Sequence, residues 1–214
     1  MTPQRTVIVG DGVAFLERGP LPPDHAIVTS MPDVSEVPLD LVAWQAWFSR
    51  NAELSCASVA DQSVALFFQS DVVSEGRWID KGYLVHKGAE RAGAHCLFHQ
   101  IVCRAPAGTP LRRGRPGYSH LSAYSRGLRL EPELRTADVL PRLGKMTWAR
   151  AMGTEACEAV CRFLLRETQC RVVVDPFCGV GTMLAAANAH GMDAIGVELE
   201  GKRAELARSL VLPH

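Results

Sequence analysis

The residues best equipped for chemistry lie between Asp175 and Glu198. Asp175-Pro176-Phe177-Cys178-Gly179-Val180-Gly181-Thr182 sets a carboxylate ahead of a glycine turn, and Glu198 closes the next apolar run. Pro176 has no backbone donor and stops a strand. Gly179 and Gly181 lack a Cβ, so the N–H groups of the turn can face a ligand. An acid at the tip of the following strand is placed to hold ribose hydroxyls. A dinucleotide site would need a third glycine, but position 184 is leucine. Asp175 also puts negative charge where a pyrophosphate would sit. The set suits a ligand with a cationic reacting end, a ribose and no phosphate; S-adenosylmethionine has that make-up.

The elements that position these residues follow from the apolar pattern. Arg171 to Val174 reads as a strand buried on both faces, Thr182 to His190 as a helix closed by Gly191, and Ala194 to Val197 as a second strand. Upstream, strands are expected at Thr6–Val9, Ala26–Thr29 and Val64–Phe68, with a helical turn at Val13–Glu17 and an amphipathic helix at Leu39–Asn51. Trp78–Gly82 leads into a helix ending near Gly93. Cys96–Cys103 and Tyr118–Ser125 read as an antiparallel pair joined by a long loop rich in Gly, Pro and Arg. Leu128–Lys145 reads as irregular, and Thr154–Glu167 as a helix. A cofactor turn ordinarily follows the first strand of such a fold, whereas this one comes late, with one strand and one helix after it. The upstream strands and helices supply what is missing, so the order of elements is permuted.

Composition agrees with a single domain, residues 1–214, divided into a catalytic and substrate half (1–145) and a cofactor-binding half (146–214). The 214 residues are 47% hydrophobic, and 23 basic side chains balance 23 acidic ones. Neutrality gives no global pull toward nucleic acid but leaves room for a local basic patch. Seven scattered cysteines point to reduced thiols in a cytoplasm rather than to a disulfide framework. Cys157 and Cys161 read as small core residues, so no metal is expected. No apolar run approaches the roughly 20 residues of a membrane span.

The same residues, taken along the whole chain, resemble the permuted (β-type) S-adenosylmethionine-dependent amino-methyltransferases, which methylate exocyclic amines of DNA bases. Gly10-Asp11-Gly12-Val13-Ala14-Phe15-Leu16 is similar to their N-terminal element. Ala26-Ile27-Val28-Thr29-Ser30-Met31-Pro32 is similar to the strand leading into their catalytic motif, and Tyr118 to Arg126 to their late hairpin strand. Asp175–Thr182 and Gly196-Val197-Glu198-Leu199 are similar to their cofactor motifs. The resemblance implies a Rossmann-like class I methyltransferase fold, circularly permuted, with a mostly parallel sheet of about seven strands and an antiparallel hairpin. It implies that Asp11 meets the adenine of the cofactor, although a helix cap is the rival role for Asp11. Asp175 and the Gly179–Gly181 backbone would meet its methionine end, and Glu198 its ribose. Thr182 would also bind the cofactor, and Phe177 would contact the cofactor or its pocket wall, with simple core packing as the rival role.

The catalytic motif departs from the family. Ser30-Met31-Pro32-Asp33 keeps acceptors at Ser30 and the Met31 carbonyl, but Asp33 stands where an aromatic stacks on a flipped base. A carboxylate there can accept a proton or cap a helix instead. Arg104, Arg112, Arg113 and Arg115 sit in the long loop, where arginines hold phosphates or simply keep a loop solvated. Tyr118, His120 and Trp148 are candidates to replace the lost stacking surface. Nucleic acid, RNA ahead of DNA because no long recognition insertion is present, is the expected partner, with a homodimer or partner subunit able to supply recognition. Methylation of a small molecule or protein, and a cofactor-binding scaffold without turnover, remain as alternatives.

Overall fold

The computed structural model describes residues 2–112, 114, 116–131 and 137–212. In chain order it contains β1 (Arg5–Val9), α1 (Gly12–Leu16), β2 (His25–Thr29), a short 3-10 turn (Val34–Glu36) and α2 (Leu41–Ser58). Next come β3 (Ala65–Gln69), β4 (Val72–Ser74), β5 (Arg77–Ile79), α3 (Lys81–Arg91), β6 (His95–Cys103), β7 (Tyr118–Ser125) and β8 (Val139–Leu140). The chain ends with α4 (Thr154–Glu167), β9 (Val172–Asp175), α5 (Thr182–Ala189), β10 (Asp193–Glu198) and α6 (Gly201–Ser209). Helices α2 and α3 start where short acceptors stand ready. Asp40 accepts from the Ala43 N–H and Asp80 from the Tyr83 N–H, each at 2.8 Å.

Eight strands form one sheet in the order β1-β10-β9-β2-β3-β7-β6-β8. From β1 to β3 every pairing is parallel; β7 runs antiparallel to both β3 and β6. The permuted order is thus real: β9 and β10, made late, are inserted between β1 and β2, made early. Both faces of the sheet are covered, which is why its central parallel strands β2, β3 and β9 are continuous apolar runs rather than alternating ones. One face packs Val28, Leu66 and Val173 against Cys157, Cys161 and Leu164 of α4, Ala186 and Ala187 of α5, and Ala204 and Ala207 of α6. The other packs Ile27, Phe67 and Val174 against Trp44 and Phe48 of α2 and Val85 and Ala89 of α3. Cys157 and Cys161 are therefore core residues, as their helical spacing suggested.

The structure corrects several expectations. The main sheet has eight strands rather than about seven, because Val139–Leu140, inside the stretch expected to be irregular, pairs in parallel with Ile101–Val102. The hairpin of β4 and β5 stands apart from the main sheet; its three-residue strands are too short to leave a periodic signature. The second helix runs on to Ser58, seven residues past Asn51. It carries serines and a cysteine where helix propensity is modest, and tertiary packing extends it. The two ends of the chain are latched. The Arg5 guanidinium donates to the Ala207 and Leu210 carbonyls (3.0 and 2.7 Å) and to Asn188 Oδ1 (2.7 Å).

Candidate active site

Four parallel strands end side by side and present one polar residue each. Val9 is in register with Glu198, Gly196 with Asp175, and Ile27 with Val174. Asp11 follows β1, Glu198 ends β10, Asp175 ends β9 and Ser30 follows β2. After β9 the chain passes to α5 on one face of the sheet, and after β2 to α2 on the other. The crevice that such a divergence opens at strand C-termini is where α/β folds bind ligands. Here it is a cleft of about 1350 Å³ lined by all four of these residues.

The half of the cleft under β9 and β10 is acidic. Asp175 is buried, and its Oδ1 accepts from the Thr29 hydroxyl at 2.7 Å and the Phe177 N–H at 3.1 Å. No cation among the described residues pairs with it. Burial, with Glu198 nearby, pushes its carboxyl up to about 7. Glu198 is also buried and accepts from the Glu200 N–H at 2.9 Å, with Arg203 Nη1 3.9 Å from the same oxygen. Gly179 and Gly181 adopt φ of +55° and +81°, the left-handed region that favours glycine. No side chain caps α5, so its first N–H groups remain open toward the turn. Thr182 shares a 2.5 Å hydroxyl hydrogen bond with Thr147. Next to it Trp148 lies against Gly179, with the Arg203 guanidinium 5.3 Å from its ring centre. Phe177 meets Trp47 edge-on at 5.9 Å, on the wall of the cleft. Asp11 fills its rival role: its carboxylate accepts from the Val13 N–H at 2.8 Å and caps α1, while still lining the cleft.

Next to this half, after β2, Ser30, Met31, Pro32 and Asp33 also line the cleft. The Met31 side chain is buried in the core, and the Pro32 carbonyl accepts from the Trp44 indole at 3.2 Å. Asp33 does more than turn the chain: its Oδ1 is ion-paired with Lys81 Nζ, while its own N–H donates to Glu36 at 2.9 Å. Glu36 in turn pairs with Arg150. The Lys81 side chain is 4% exposed and Asp33 35%. The Lys81 N–H donates to Asp71 at 2.8 Å, and Asp71 also accepts from Trp78 at 3.0 Å and His120 at 3.1 Å. Burial alone would raise the Asp71 carboxyl; these donors outweigh it and hold the group below its ordinary value. His120 Nδ1 is 2.9 Å from His99 Nε2. Tyr118 and His120, expected to touch substrate, therefore stand behind Asp71 as its support and do not line the cleft. Asp71, Asp80 and His120 bring ligand-type atoms within 4.8 Å of one another, but Asp71 and His120 spend theirs on each other and Asp80 caps α3. Arg104 lines the cleft and donates to Ser70 at 3.0 Å; Arg113 and Arg115 lie outside the described residues.

The sequence reading missed Lys81, Asp71 and Thr147. Asp71 carried a signal, being an acid at the tip of an apolar strand like Asp175. Lys81 and Thr147 carried none, because tertiary structure alone brings Lys81 to the cleft and Thr147 to Thr182.

No protein-family model matches the chain, and neither does any curated protein. Solved structures do. A Thermus thermophilus protein assigned to the DNA modification methylases, complexed with S-adenosyl-L-methionine, superposes with a TM-score of 0.73 at 21% identity, over 95% of this chain and 91% of its own. The cytosine-N4-specific PvuII DNA methyltransferase gives 0.74 at 13% identity, over 98% and 88%. The M1.HpyAVI–SAM complex gives 0.63 at 16%, over 96% and 98%. The fold is that of a class I methyltransferase. The fold implied by the resemblance is borne out across nearly the whole chain.

Proposed function

We propose that the protein is an S-adenosylmethionine-dependent methyltransferase that modifies a nucleobase in nucleic acid, and that residues 1–214 work as one methyltransferase domain. The observation that carries this reading is the pair of buried acids, Asp175 and Glu198, at the strand switch point with no basic side chain among the described residues neutralising Asp175. Such a site suits a cation carrying ribose hydroxyls and repels phosphate. When bound, the cofactor would supply an electrophilic methyl group on a sulfonium. Asp175 and the Gly179–Gly181 backbone would hold its charged amino acid end, Glu198 its ribose and Asp11 its adenine edge, with Phe177 and Trp148 walling the pocket. Ser30 and the Met31 carbonyl would orient the acceptor from the adjoining wall, so that catalysis is largely positioning.

Two of the similar solved proteins, the Thermus thermophilus protein and the PvuII enzyme, are named for DNA, which favours DNA over the RNA expected from sequence. The likeness runs over 88% of the PvuII enzyme, so the lack of a long insertion in this chain does not argue for RNA. Arg104 is the group on the cleft wall best placed for a phosphate. A cytoplasmic setting fits the reduced cysteines. No helix among the described residues is long and apolar enough to cross a membrane.

The test is calorimetric titration with S-adenosylmethionine, followed by transfer of labelled methyl groups to DNA, RNA and a small-molecule extract. Donor uptake and labelled polynucleotide are expected. Absence of donor uptake would end the reading; labelling confined to small molecules would redirect it.

A further inference from the structure

The acceptor wall carries an ion pair, Asp33 with Lys81, where the family carries a stacking aromatic. Lys81 projects a nearly buried ammonium into the cleft, 5.8 Å from the centre of the Phe48 ring. Among the described residues its Nζ has one hydrogen-bond partner, Asp33 Oδ1, which leaves two of its three N–H donors free. Asp33, about a third exposed, keeps acceptor capacity on its carboxylate for an incoming N–H. The position of this ammonium is not accidental to a mobile surface chain. The backbone of Lys81 is fixed by Asp71, and Asp71 by Trp78 and His120. The cleft thus offers a nearly buried cationic donor directly beside a carboxylate acceptor, a few residues from Ser30.

We infer that Asp33 and Lys81 recognise and activate a lactam edge, a ring carbonyl next to a ring N–H as in uracil, thymine or guanine, so that the methylated atom is a ring nitrogen. This rests on the nucleic-acid methyltransferase reading and specifies its substrate. The side-by-side geometry alone would also fit the amidine edge of adenine or cytosine; charge decides between them. An exocyclic amine gains positive charge as it attacks a methyl group, which the Asp33 carboxylate favours and the paired Lys81 ammonium opposes, so the pair gives it little net help. A lactam loses its ring proton and gains negative charge on its oxygen, which the same ammonium stabilises. In balance, the ring N–H proton passes to Asp33, the nitrogen's electron pair forms the bond to the methyl carbon, and the sulfur keeps the electrons of the broken bond as a thioether. Lys81 offsets the oxyanion while Asp33 is neutral, and Asp33 then returns its proton to water.

The experiment is labelled methyl transfer from S-adenosylmethionine to DNA and RNA oligonucleotides, each containing one kind of base, with mass-spectrometric identification of the nucleoside. Methyl on a ring nitrogen of uracil, thymine or guanine is expected. Methyl on the exocyclic amine of adenine or cytosine would overturn the inference and leave the nucleic-acid reading standing. Donor uptake with no polynucleotide labelled would overturn that reading and the inference with it. Asp33→Asn, which keeps the shape of the side chain, should lower turnover by about 10²–10⁴-fold, as for loss of a general base, with donor affinity unchanged. Equal loss of donor affinity would mark Asp33 as a structural clamp instead. Lys81→Arg should restore part of the activity that Lys81→Met removes, and failure of that rescue would count against a charge-stabilising role.

Discussion

Both hydrogen bonds that Asp175 accepts end on the same oxygen, which makes asparagine a clean replacement: its Oδ1 can keep the Thr29 and Phe177 bonds while the charge is gone. Asp175→Asn should weaken S-adenosylmethionine binding about ten- to a hundredfold, the size of one lost charge-assisted contact, read by calorimetry. Because burial raises this carboxyl to about 7, binding of the cation by the wild type should strengthen as pH rises through that value and the group ionises. The sign for stability is opposite. The folded group holds its proton to higher pH than the unfolded one, so its contribution to stability is full below about pH 4 and is lost as pH rises to about 7. Thermal melts of the ligand-free protein should show that slope, and Asp175→Asn should flatten it. Glu198→Gln retains an acceptor for the Glu200 N–H but gives up charged bonds to ribose hydroxyls. A tenfold or greater rise in the donor dissociation constant is expected, with the melting temperature little changed.

At the scale of elements, the first helix and the cofactor turn depend on one glycine. A Cβ on Gly12 would lie 2.0 Å from the Pro176 carbonyl oxygen and 2.9 Å from the Phe177 ring. Gly12→Ala must therefore push α1 off the turn, at a cost of about 1–3 kcal/mol for overpacking, visible as a lower denaturant midpoint. Gly10-Asp11-Gly12 was legible as a strand-to-helix step, but nothing in it announces that Pro176 lies against it. That contrast holds widely in this chain. Arg171–Val174, Ala194–Val197 and the glycine turn were readable because strong local chemistry and burial agree there. The hairpin of β4 and β5 was not, because three-residue strands lack a period. Asp33 read as a broken motif rather than as half of an ion pair, because Lys81 is 48 residues away along the chain. Tyr118 and His120 drew attention as aromatics of a hairpin strand. Only the pairing of β3 with β7 shows that they turn to Asp71.

For the molecule as a whole, the latch from Arg5 to Ala207 and Leu210 makes the starting point of the chain a matter of choice. Joining Leu212 to Thr2 by a short flexible linker and opening the chain between the exposed Pro141 and Arg142 would make β9 the first strand. Such a variant should fold and take up the donor with undiminished affinity, measured by circular dichroism and calorimetry. An unfolded product would show that the native order is required.

Synthesis on the ribosome, however, has only one direction. β1 has a single neighbour in the sheet, β10, and β2 must wait for β9 on its other side. A growing chain therefore carries two apolar strand edges without their mates until β9 and β10 have been made, the situation in which newly made proteins stick to one another. Polypeptides halted ahead of Asp193 should accumulate with chaperones or in the insoluble fraction, whereas chains that extend past Glu198 can close the centre of the sheet in one late event.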